Sequence, residues 1–566
     1  MNSNCSRRRA GHLFILLLVV SVCSLYAQVD DAREAIRNGN YEHAISLLTA
    51  TLEREPSADA FLYLGIAYAH SKNHERAEAT LQEGGAKYPE DPRFHNELAG
   101  LYLSQNEVEK ARMSLNDALR IGPDNVYAID LLANIELALR NERAALQTWS
   151  RKGGPMISRI MNDGRFLEDS HWTIRRAVAF ETDKTLRYRQ WRTTERRLLE
   201  FGLYNDARLE IRPTPTSGQY HANIMTAFRK NTQLTPNDLV TQLLSWSLTR
   251  TFRLNRWDIG GSGLTVNGSF RPSSGRRRGE LRILAPVPMA AGLVVEASGL
   301  WRAERWNVSE IAMDPSIAPF RFTSTGWRLM LKAIPDYRVE IAGGFEFTKR
   351  RTSGDLPESL ANRSNSGKLL LEASVLLTDR IHQSRIRAQT FVARKSILGD
   401  LNYSGGTLEL NNRIPLPKAT RSTIESTIKG GTTRGPIPLD EYFVLGADLH
   451  SSNLMRGYTA FDKKHRYNTT PMGTHFLLVN TTVDRELRDL RENPSSFFPP
   501  LIVKAEAFLD GGKVFDRTGI FRKPELLVSA GAGLRFETRQ HALHFVLGRS
   551  LRHNASFTGV YIEKRW

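Results

Sequence analysis

Alternation of apolar and polar side chains is the feature that most constrains this chain. From about residue 240 onward it recurs in roughly fifteen segments of about ten residues, separated by Gly, Pro, Asn and charged residues. In GLVVEASGLWRAERW, Leu293, Val295 and Trp301 fall on one face, and Glu296 and Arg302 fall on the other. This period of two predicts β-strands with one apolar and one polar face. No helical period persists here, and no apolar run reaches the length of a membrane helix.

A transmembrane β-barrel explains this pattern, because lipid would contact the apolar face and a wet lumen the polar face. The segment LVSAGAGLRFE behaves in the same way, with Val528 and Leu534 set against Ser529 and Arg535. A closed bacterial barrel normally has an even number of strands, so we predict a 16-stranded barrel over residues 240–566. Closure is required because an open edge in lipid would leave backbone groups unpaired. A soluble β-sandwich or lectin is the alternative.

The last segment, GVYIEKRW, is an alternating strand that ends in an aromatic residue, Trp566. Barrel proteins commonly present such a strand to their assembly machinery, and we therefore predict that Trp566 is part of an assembly signal.

The N-terminal residues 1–27 are predicted to be a secretory signal peptide. Three arginines precede the apolar run Leu13–Val20, and small or polar residues lead to a cleavage point after Ala27. A membrane anchor helix would need about 20 apolar residues, which is longer than this run. Both cysteines of the chain lie in this segment, so the mature protein is expected to form neither a disulfide nor a thiolate metal site.

Charge is distributed unevenly along the chain. Residues 28–150 contain 12 Lys+Arg and 20 Asp+Glu, although the whole chain has a formal net charge of +18. The excess of cations therefore lies in residues 151–566, which indicates separate domains with different surroundings. An exported protein is not expected to bind nucleic acid. Lipid phosphates, an acidic polysaccharide or a water-filled lumen are candidate partners of the basic part, and simple solvation of the arginines is the alternative.

Residues 28–150 contain an internal repeat. Alanines and prolines each recur at spacings of 33 and 34, at Ala44, Ala77, Ala111, Pro56, Pro89 and Pro123. The intervening helices are expected to place Gly65 and Gly100 at matching positions. The pattern resembles the tetratricopeptide repeat over about residues 29–150, which implies an all-α solenoid with a concave surface for peptides or partner proteins. A helical spacer without a ligand is the alternative.

A change of composition follows at KGGPM, and residues 151–170 are predicted to be a linker. Residues 171–232 are then predicted to form a small α+β domain in the order β-α-α-β-β, with WTIRRAVAF as a strand, QWRTTERRLLEF as a helix, and DARLEIRP and YHANIMTAF as two further strands. This order resembles a polypeptide-transport-associated (POTRA) domain, although a generic α+β domain would show it too. The resemblance implies that a client chain adds a strand to a sheet edge.

Two late stretches point to a known family. NLMRGYTAFD lies between the predicted strands STIESTIKG and THFLLVNTTV, and AEAFLDGGKVFD follows soon afterwards. The Arg-Gly-Tyr loop, the Phe-x-Asp-x-Gly strand and the terminal aromatic strand together resemble the bacterial surface antigen superfamily, which includes outer-membrane barrel assembly factors and two-partner secretion transporters. In that family the sixth extracellular loop folds back into the barrel. This chain departs from the family pattern in having tetratricopeptide repeats and a single POTRA-like domain.

The resemblance implies a loop lock formed by Arg456, Gly457, Tyr458 and Asp510. Period two places Phe508 and Asp510 on the lumen face of their strand, where an inward loop would arrive. A guanidinium can bind a carboxylate through two parallel hydrogen bonds, which lysine cannot reproduce. We expect Gly457 to allow the turn and Tyr458 to pack on the wall with its hydroxyl in water. An exposed surface loop is the alternative.

No catalytic residue, cofactor or metal site is predicted, because the common phosphate-binding, zinc-protease and serine-hydrolase motifs do not occur. Three functions remain. The first is an outer-membrane protein translocase or insertase, with its N-terminal domains in the periplasm and a polypeptide client. The second is an exopolysaccharide export porin with a periplasmic tetratricopeptide scaffold. The third is a scaffold that uses the barrel only as a lipid-embedded anchor.

Overall fold

The protein is described here by a computed structural model that covers most of the chain. The described residues are 28–216, 218–229, 251–273, 275–308, 312–314, 316–354, 363–379, 382–446, 455–456, 458, 472–490, 501–521, 526–537, 541–551 and 556–564. The chain forms two compact units. One holds the N-terminal helices up to Ile160 together with Phe180–Tyr188 and Leu209–Asn223, and the other contains Met161–Ala179, Arg189–Arg208 and the chain from Ile224 onward.

The N-terminal helices form antiparallel pairs, as a tetratricopeptide solenoid requires. They are α1 (28–37), α2 (Tyr41–Arg54), α3 (Ala58–His70), α4 (His74–Lys87), α5 (Arg93–Ser104), α6 (Val108–Ile121), α7 (Val126–Ala138) and α8 (Glu142–Trp149). The three repeat alanines, Ala44, Ala77 and Ala111, are fully buried, which permits close helix contact.

The expected match between Gly65 and Gly100 is wrong. A Cβ on Gly65 would lie 2.5 Å from the Leu81 side chain, whereas a Cβ on Gly100 would meet nothing within 4 Å. The equivalent of Gly65 is Ala99, which is fully buried 34 residues later.

Residues 156–228 form a small mixed domain. Its elements are β1 (Met156–Asn162), β2 (Arg165–Phe166), α9 (Trp172–Ala177), β3 (Lys184–Thr185), α10 (Tyr188–Glu200), β4 (Tyr204–Pro213) and β5 (Gln219–Phe228). The sheet order is β2-β1-β5-β4, and β3 also pairs with β1. The predicted helix over QWRTTERRLLEF and the two strands that follow it correspond to α10, β4 and β5.

The strand predicted over WTIRRAVAF is wrong, because residues 172–177 form the helix α9. Thr173, Ile174 and Ala177 are its buried residues, and this spacing fits one side of a helix rather than one face of a strand. The first strand of the domain is instead β1, which lies within the predicted linker 151–170.

A large antiparallel sheet makes up the rest of the chain. Its strands are β6 (Phe252–Arg256), β7 (Thr265–Ser273), β8 (Arg276–Pro286), β9 (Leu293–Trp306), β10 (Phe320–Asp336), β11 (Val339–Ser353), β12 (Arg363–Asp379), β13 (Gln383–Ala393), β14 (Tyr403–Pro415), β15 (Ser422–Arg434), β18 (His475–Asp489), β19 (Ile502–Phe515), β20 (Leu527–Glu537), β21 (His541–Ser550) and β22 (Ser556–Lys564). Each strand pairs with its neighbours in the chain. The long connection between β15 and β18 contains a separate two-stranded pair, β16 (Phe443–Val444) and β17 (Met472–Gly473).

Side chains alternate between two faces of the large sheet. In β19, Lys504, Glu506 and Asp510 are buried, whereas Ala507 and Leu509 are exposed. We call the face that carries Asp510 the inner face, and the opposite face the outer face. Many large apolar side chains are exposed on the outer face, as the predicted contact with lipid requires.

The strand count of 16 stays a prediction. The described residues place 15 strands in one sheet, with β6 and β22 at its two ends and no pairing described between them. Among the described residues, no helix has both the length and the hydropathy needed to cross a membrane.

Candidate functional site

The candidate site is a short stretch of the β15–β18 connection that lies on the inner face of the large sheet. We call residues 455, 456 and 458 the inward segment. Met455 is fully buried in an apolar cluster with Leu445, Phe476 and Val514. Because β18 and β19 supply part of this cluster, the backbone of the inward segment is held against the wall on which Asp510 stands.

Arg456 and Asp510 are brought together by a forked pair of hydrogen bonds. Arg456 Nε donates to Asp510 Oδ2 at 2.9 Å, and Nη2 donates to Oδ1 at 2.5 Å. The backbone N–H of Arg456 donates to Oδ2 as well, at 2.9 Å. Arg456 is 3% exposed and Asp510 is 0% exposed, so water does not compete for either group. Both the distance and the direction of the guanidinium are therefore fixed.

Neighbouring strands complete the environment of the guanidinium. Its Nη1 donates to Thr482 Oγ1 of β18 at 2.9 Å. Its Cζ lies 3.9 Å from the centre of the Phe508 ring, a cation–π contact. Ser529 of β20 donates a hydrogen bond to the Arg456 carbonyl. The arginine thus contacts three adjacent strands.

The hydroxyl of Tyr458 is buried, so the expectation that it would lie in water is wrong. It is 2.6 Å from Ser550 Oγ of β21, and it donates more weakly to the Val528 carbonyl at 3.4 Å. Ser550 stands directly opposite Ser529 in the ladder, which places a hydroxyl where the phenol arrives. Tyr458 therefore extends the contacts of the inward segment by one strand beyond Arg456.

Glycines on the wall leave room for these side chains. A Cβ on Gly512, the last residue of the Phe-x-Asp-x-Gly motif, would lie 2.9 Å from Leu445 and 3.3 Å from Met455 Sδ. A Cβ on Gly531 would lie 2.5 Å from the Phe508 ring. Of the remaining predicted site residues, Gly457 and Trp566 lie outside the described residues.

A second charged cluster holds the start of the same connection. Asp440 accepts hydrogen bonds from Arg302 of β9 and from Arg350 of β11, the latter at 2.6 Å. Glu441 accepts from Arg350 at 3.0 Å and from Lys368 of β12 at 2.7 Å. The connection is thus bound to β9, β11 and β12 near its start and to β18, β19, β20 and β21 at the inward segment.

Sequence analysis did not predict these further binding partners of the β15–β18 connection. Period two does place Arg302, Arg350 and Lys368 on polar faces, and the adjacent acids in PLDEY were a usable signal. Thr482, Ser529 and Ser550 gave no such signal, because hydroxyl residues are frequent and the register between strands cannot be read from one sequence.

Comparisons with known proteins bear on both parts of the chain. The tetratricopeptide repeat family matches residues 29–92 and 85–126. The solved structure of CdiB from Escherichia coli is 13% identical, covers 77% of this chain and 84% of its own, and superposes with a TM-score of 0.50. CdiB from Acinetobacter baumannii is 12% identical over 81% of this chain and 86% of its own, with a TM-score of 0.45. BamA from Haemophilus ducreyi lacking POTRA domains 1–3 is 12% identical over 72% of this chain and 85% of its own, with a TM-score of 0.43. No curated protein sequence matches this chain.

The repeat match confirms the tetratricopeptide prediction. The similarity to Escherichia coli CdiB, at 13% identity, is one of fold, and it agrees with the large antiparallel sheet described above. The chain therefore has N-terminal tetratricopeptide repeats followed by a large antiparallel sheet that is similar in fold to Escherichia coli CdiB.

Proposed function

We propose that this chain is an outer-membrane protein translocase or insertase. In this proposal the N-terminal repeats and the POTRA-like domain capture a polypeptide client in the periplasm, and the barrel passes it across or into the outer membrane. The observation that carries the proposal is the inward segment, which is fixed to the inner face by Arg456 and Asp510. A barrel whose own loop is bound inside it is a gated device rather than a permanently open pore.

The charges on the inner face support protein transport over polysaccharide export. An acidic polymer would be attracted by unpaired cations in a lumen. Here several inner-face cations bind carboxylates of the same chain, among them Arg535 to Glu425 at 2.6 Å and Lys504 to Asp484 at 3.1 Å. These ion pairs weaken the attraction that an arginine-rich lumen would exert on an acidic polymer.

The small sheet offers a surface for client capture at β4. Among the described strands of this sheet, β4 lies at one end of the order, whereas β5 is flanked by β1 and β4. Buried and exposed side chains alternate along β4, with Asn205 and Arg208 exposed. An extended client segment pairing with β4 would gain main-chain hydrogen bonds without disturbing the core.

A photo-crosslinking residue at Arg208 tests this proposal in living cells. We expect it to form adducts with polypeptides, whereas the same residue at Asp314, exposed in the β9–β10 connection, should not. Adducts with glycan would support the polysaccharide porin instead.

Depletion of the protein supplies a second test. We expect depletion to lower the amounts of client proteins in the outer membrane or at the cell surface. If every other outer-membrane and surface protein stayed at its normal level, and Arg208 captured nothing, the non-transporting scaffold would be the correct reading.

A further inference from the structure

Four cations lie together on the outer face of the large sheet, at one end of three neighbouring strands. They are Arg305 of β9, Arg321 of β10, and Lys349 and Arg351 of β11, and all four are exposed. Arg350, between the last two, points inward and binds Asp440, so the alternation of β11 separates it from its neighbours. Among the described residues, none of the four has a carboxylate partner. We call them the outer cation cluster.

Strand register holds these cations close to one another. Arg305 and Arg321 are directly opposite partners in the β9–β10 ladder. Arg321 pairs with Ser353 of β11, and Arg351 is therefore its diagonal neighbour two residues along. Directly opposite like charges in a sheet repel each other. An arrangement of this kind is favourable when an anion sits between the cations.

The surface next to the cluster has the character of a membrane interface. Along the outer face of these strands, the cations are followed by Trp301, Trp327 and Phe347, and then by exposed leucines such as Leu329 and Leu331. The Trp327 ring lies 6.4 Å from the Phe347 ring. Aromatic side chains form girdles at the two interfaces of a membrane barrel, with the apolar band between them. The cluster is thus positioned at the level of lipid head groups.

Loop lengths assign the cluster to one leaflet. The β9–β10 connection at the cluster's end of the strands spans residues 307–319, whereas only Tyr337 and Arg338 join β10 to β11 at the other end. Outer-membrane barrels have short periplasmic turns and longer extracellular loops. The cluster therefore faces the outer leaflet.

We propose that the outer cation cluster binds the phosphate groups of an anionic glycolipid in the outer leaflet. The inference rests on placement in the outer membrane and not on what the protein transports. Arginine suits this role because its planar fork donates two hydrogen bonds to a phosphate. The aromatic and leucine side chains below the cluster would contact the acyl chains of the same lipid.

Native mass spectrometry of the full chain in a nonionic detergent tests the proposal, with diphosphoryl lipid A as the probe. The test variant is Arg305→Gln/Arg321→Gln. The matched control is Arg485→Gln/Arg488→Gln. It removes two exposed arginines near the C-terminal end of β18, which is the end of the large sheet opposite to the outer cation cluster. At about 1 kcal/mol for each arginine near an anionic lipid surface, we expect the test variant to bind lipid A roughly 30-fold more weakly, and the control to bind like the wild type.

Two further binding measurements distinguish a lipid site from a simple phosphate site. Phosphatidylcholine, which has no net charge, should bind weakly to the wild type, and inorganic phosphate should not displace lipid A. Displacement by inorganic phosphate would overturn a lipid site in favour of a simple phosphate site. Equal binding of lipid A by the wild type and the test variant, with both migrating as the folded form on an unheated gel, would overturn the proposal altogether.

Discussion

The forked bond between Arg456 and Asp510 shows what a single sequence yields at the scale of residues. Period two placed Asp510 on the inner face, and the family resemblance supplied Arg456 as its partner. Thr482 and Ser529 could not be predicted, because they reach the arginine only through the register of β18 and β20 with β19. The chemistry of the pair was visible in the sequence, but its surroundings depend on strand pairing over long distances.

Removing either partner of this pair is expected to impair transport and release the inward segment. Each of Arg456→Ala and Asp510→Ala leaves one buried charge without its partner, at a cost of about 3 to 5 kcal/mol. The double variant should be little worse than either single variant, because the interaction is already lost. Client delivery and protease cleavage within the β15–β18 connection measure the effect. Arg456→Lys should also be impaired, since an ammonium cannot form the fork. Additive losses in the double variant would contradict a direct pair.

Asp440 is expected to hold the start of the same connection independently. Asp440→Asn keeps the shape but removes the charge that faces Arg302 and Arg350, so both guanidiniums lose their shared partner. We predict faster proteolysis of the connection, with strand content by circular dichroism unchanged. Asp314→Asn is the control, because Asp314 is exposed in its loop and, within the part of the chain that the structure describes, accepts hydrogen bonds from the nearby Ser316 alone. Equal protease sensitivity of the two variants would show that Asp440 has no anchoring role.

At the scale of elements, sequence patterns succeeded where they were long and failed where they were short. The repeat helices and the long strands follow sustained periods. Strand β1 was missed because its buried residues, Ile157, Ile160 and Asn162, do not alternate, and because KGGPM before it reads as a break. Helix α9 is only six residues long, and so brief a segment cannot distinguish a period of two from one of 3.6.

Helix α10 contacts the short turn between β10 and β11 and the strand ends beside it. No sequence motif predicted this arrangement. Arg197 donates to the carbonyls of Ile334 at 3.0 Å and Pro335 at 3.3 Å, and burial lowers the pKa of its guanidinium. Arg196 donates to Glu340 at 2.5 Å. Gly292, with a φ of +72°, lies so close that a Cβ there would be 2.6 Å from Arg197 Nε. These contacts attach the last helix of the small domain to the rim of the sheet.

Truncation of Arg197 should loosen α10. Arg197→Ala removes two charge-assisted hydrogen bonds to backbone carbonyls, of which that of Ile334 belongs to a buried residue, and each bond is worth about 1.5 to 3 kcal/mol. We expect amide hydrogen exchange in α10 to quicken by roughly tenfold or more. Gly292→Ala should act in the same direction by displacing the guanidinium and by straining the backbone. Arg176→Ala, an exposed arginine on α9, is the control and should leave α10 unchanged. Unaltered exchange in both test variants would mean that this contact does not hold the helix.

At the scale of the whole molecule, the sequence predicted the two large architectures and the contrast in charge between them. It did not predict where in the structure the cations of residues 151–566 would lie. Some cations pair with carboxylates on the inner face, and others are exposed on the outer face, as in the outer cation cluster. The amino-acid composition cannot distinguish paired cations from exposed ones, since both arrangements give the same net charge.

Conductance in a planar lipid bilayer should report this internal neutralisation. With the inward segment bound and the inner-face charges paired, we expect the wild type to show small and weakly selective currents. Arg456→Ala should raise the open-channel conductance, because release of the segment widens the passage. The exposed pair variant Arg485→Gln/Arg488→Gln serves as a control for general charge effects. A large, permanently open and strongly anion-selective current in the wild type would contradict the proposed transporter and favour polysaccharide export.

The β15–β18 connection is held at Asp440 and at the inward segment. The binding partners of these two sites lie on opposite sides of the connection in the sequence, and this has a consequence for biogenesis. Asp440 binds residues made earlier, 90 and 138 positions upstream, whereas Arg456 and Tyr458 bind residues 54 and 92 positions downstream. A ribosome thus makes the partners of Asp440 before the connection itself, and the partners of Arg456 and Tyr458 only after it. The arginine fork needs β19 in place and the Tyr458 hydrogen bond needs β21, so the second set of contacts can form only after most of the large sheet has been made.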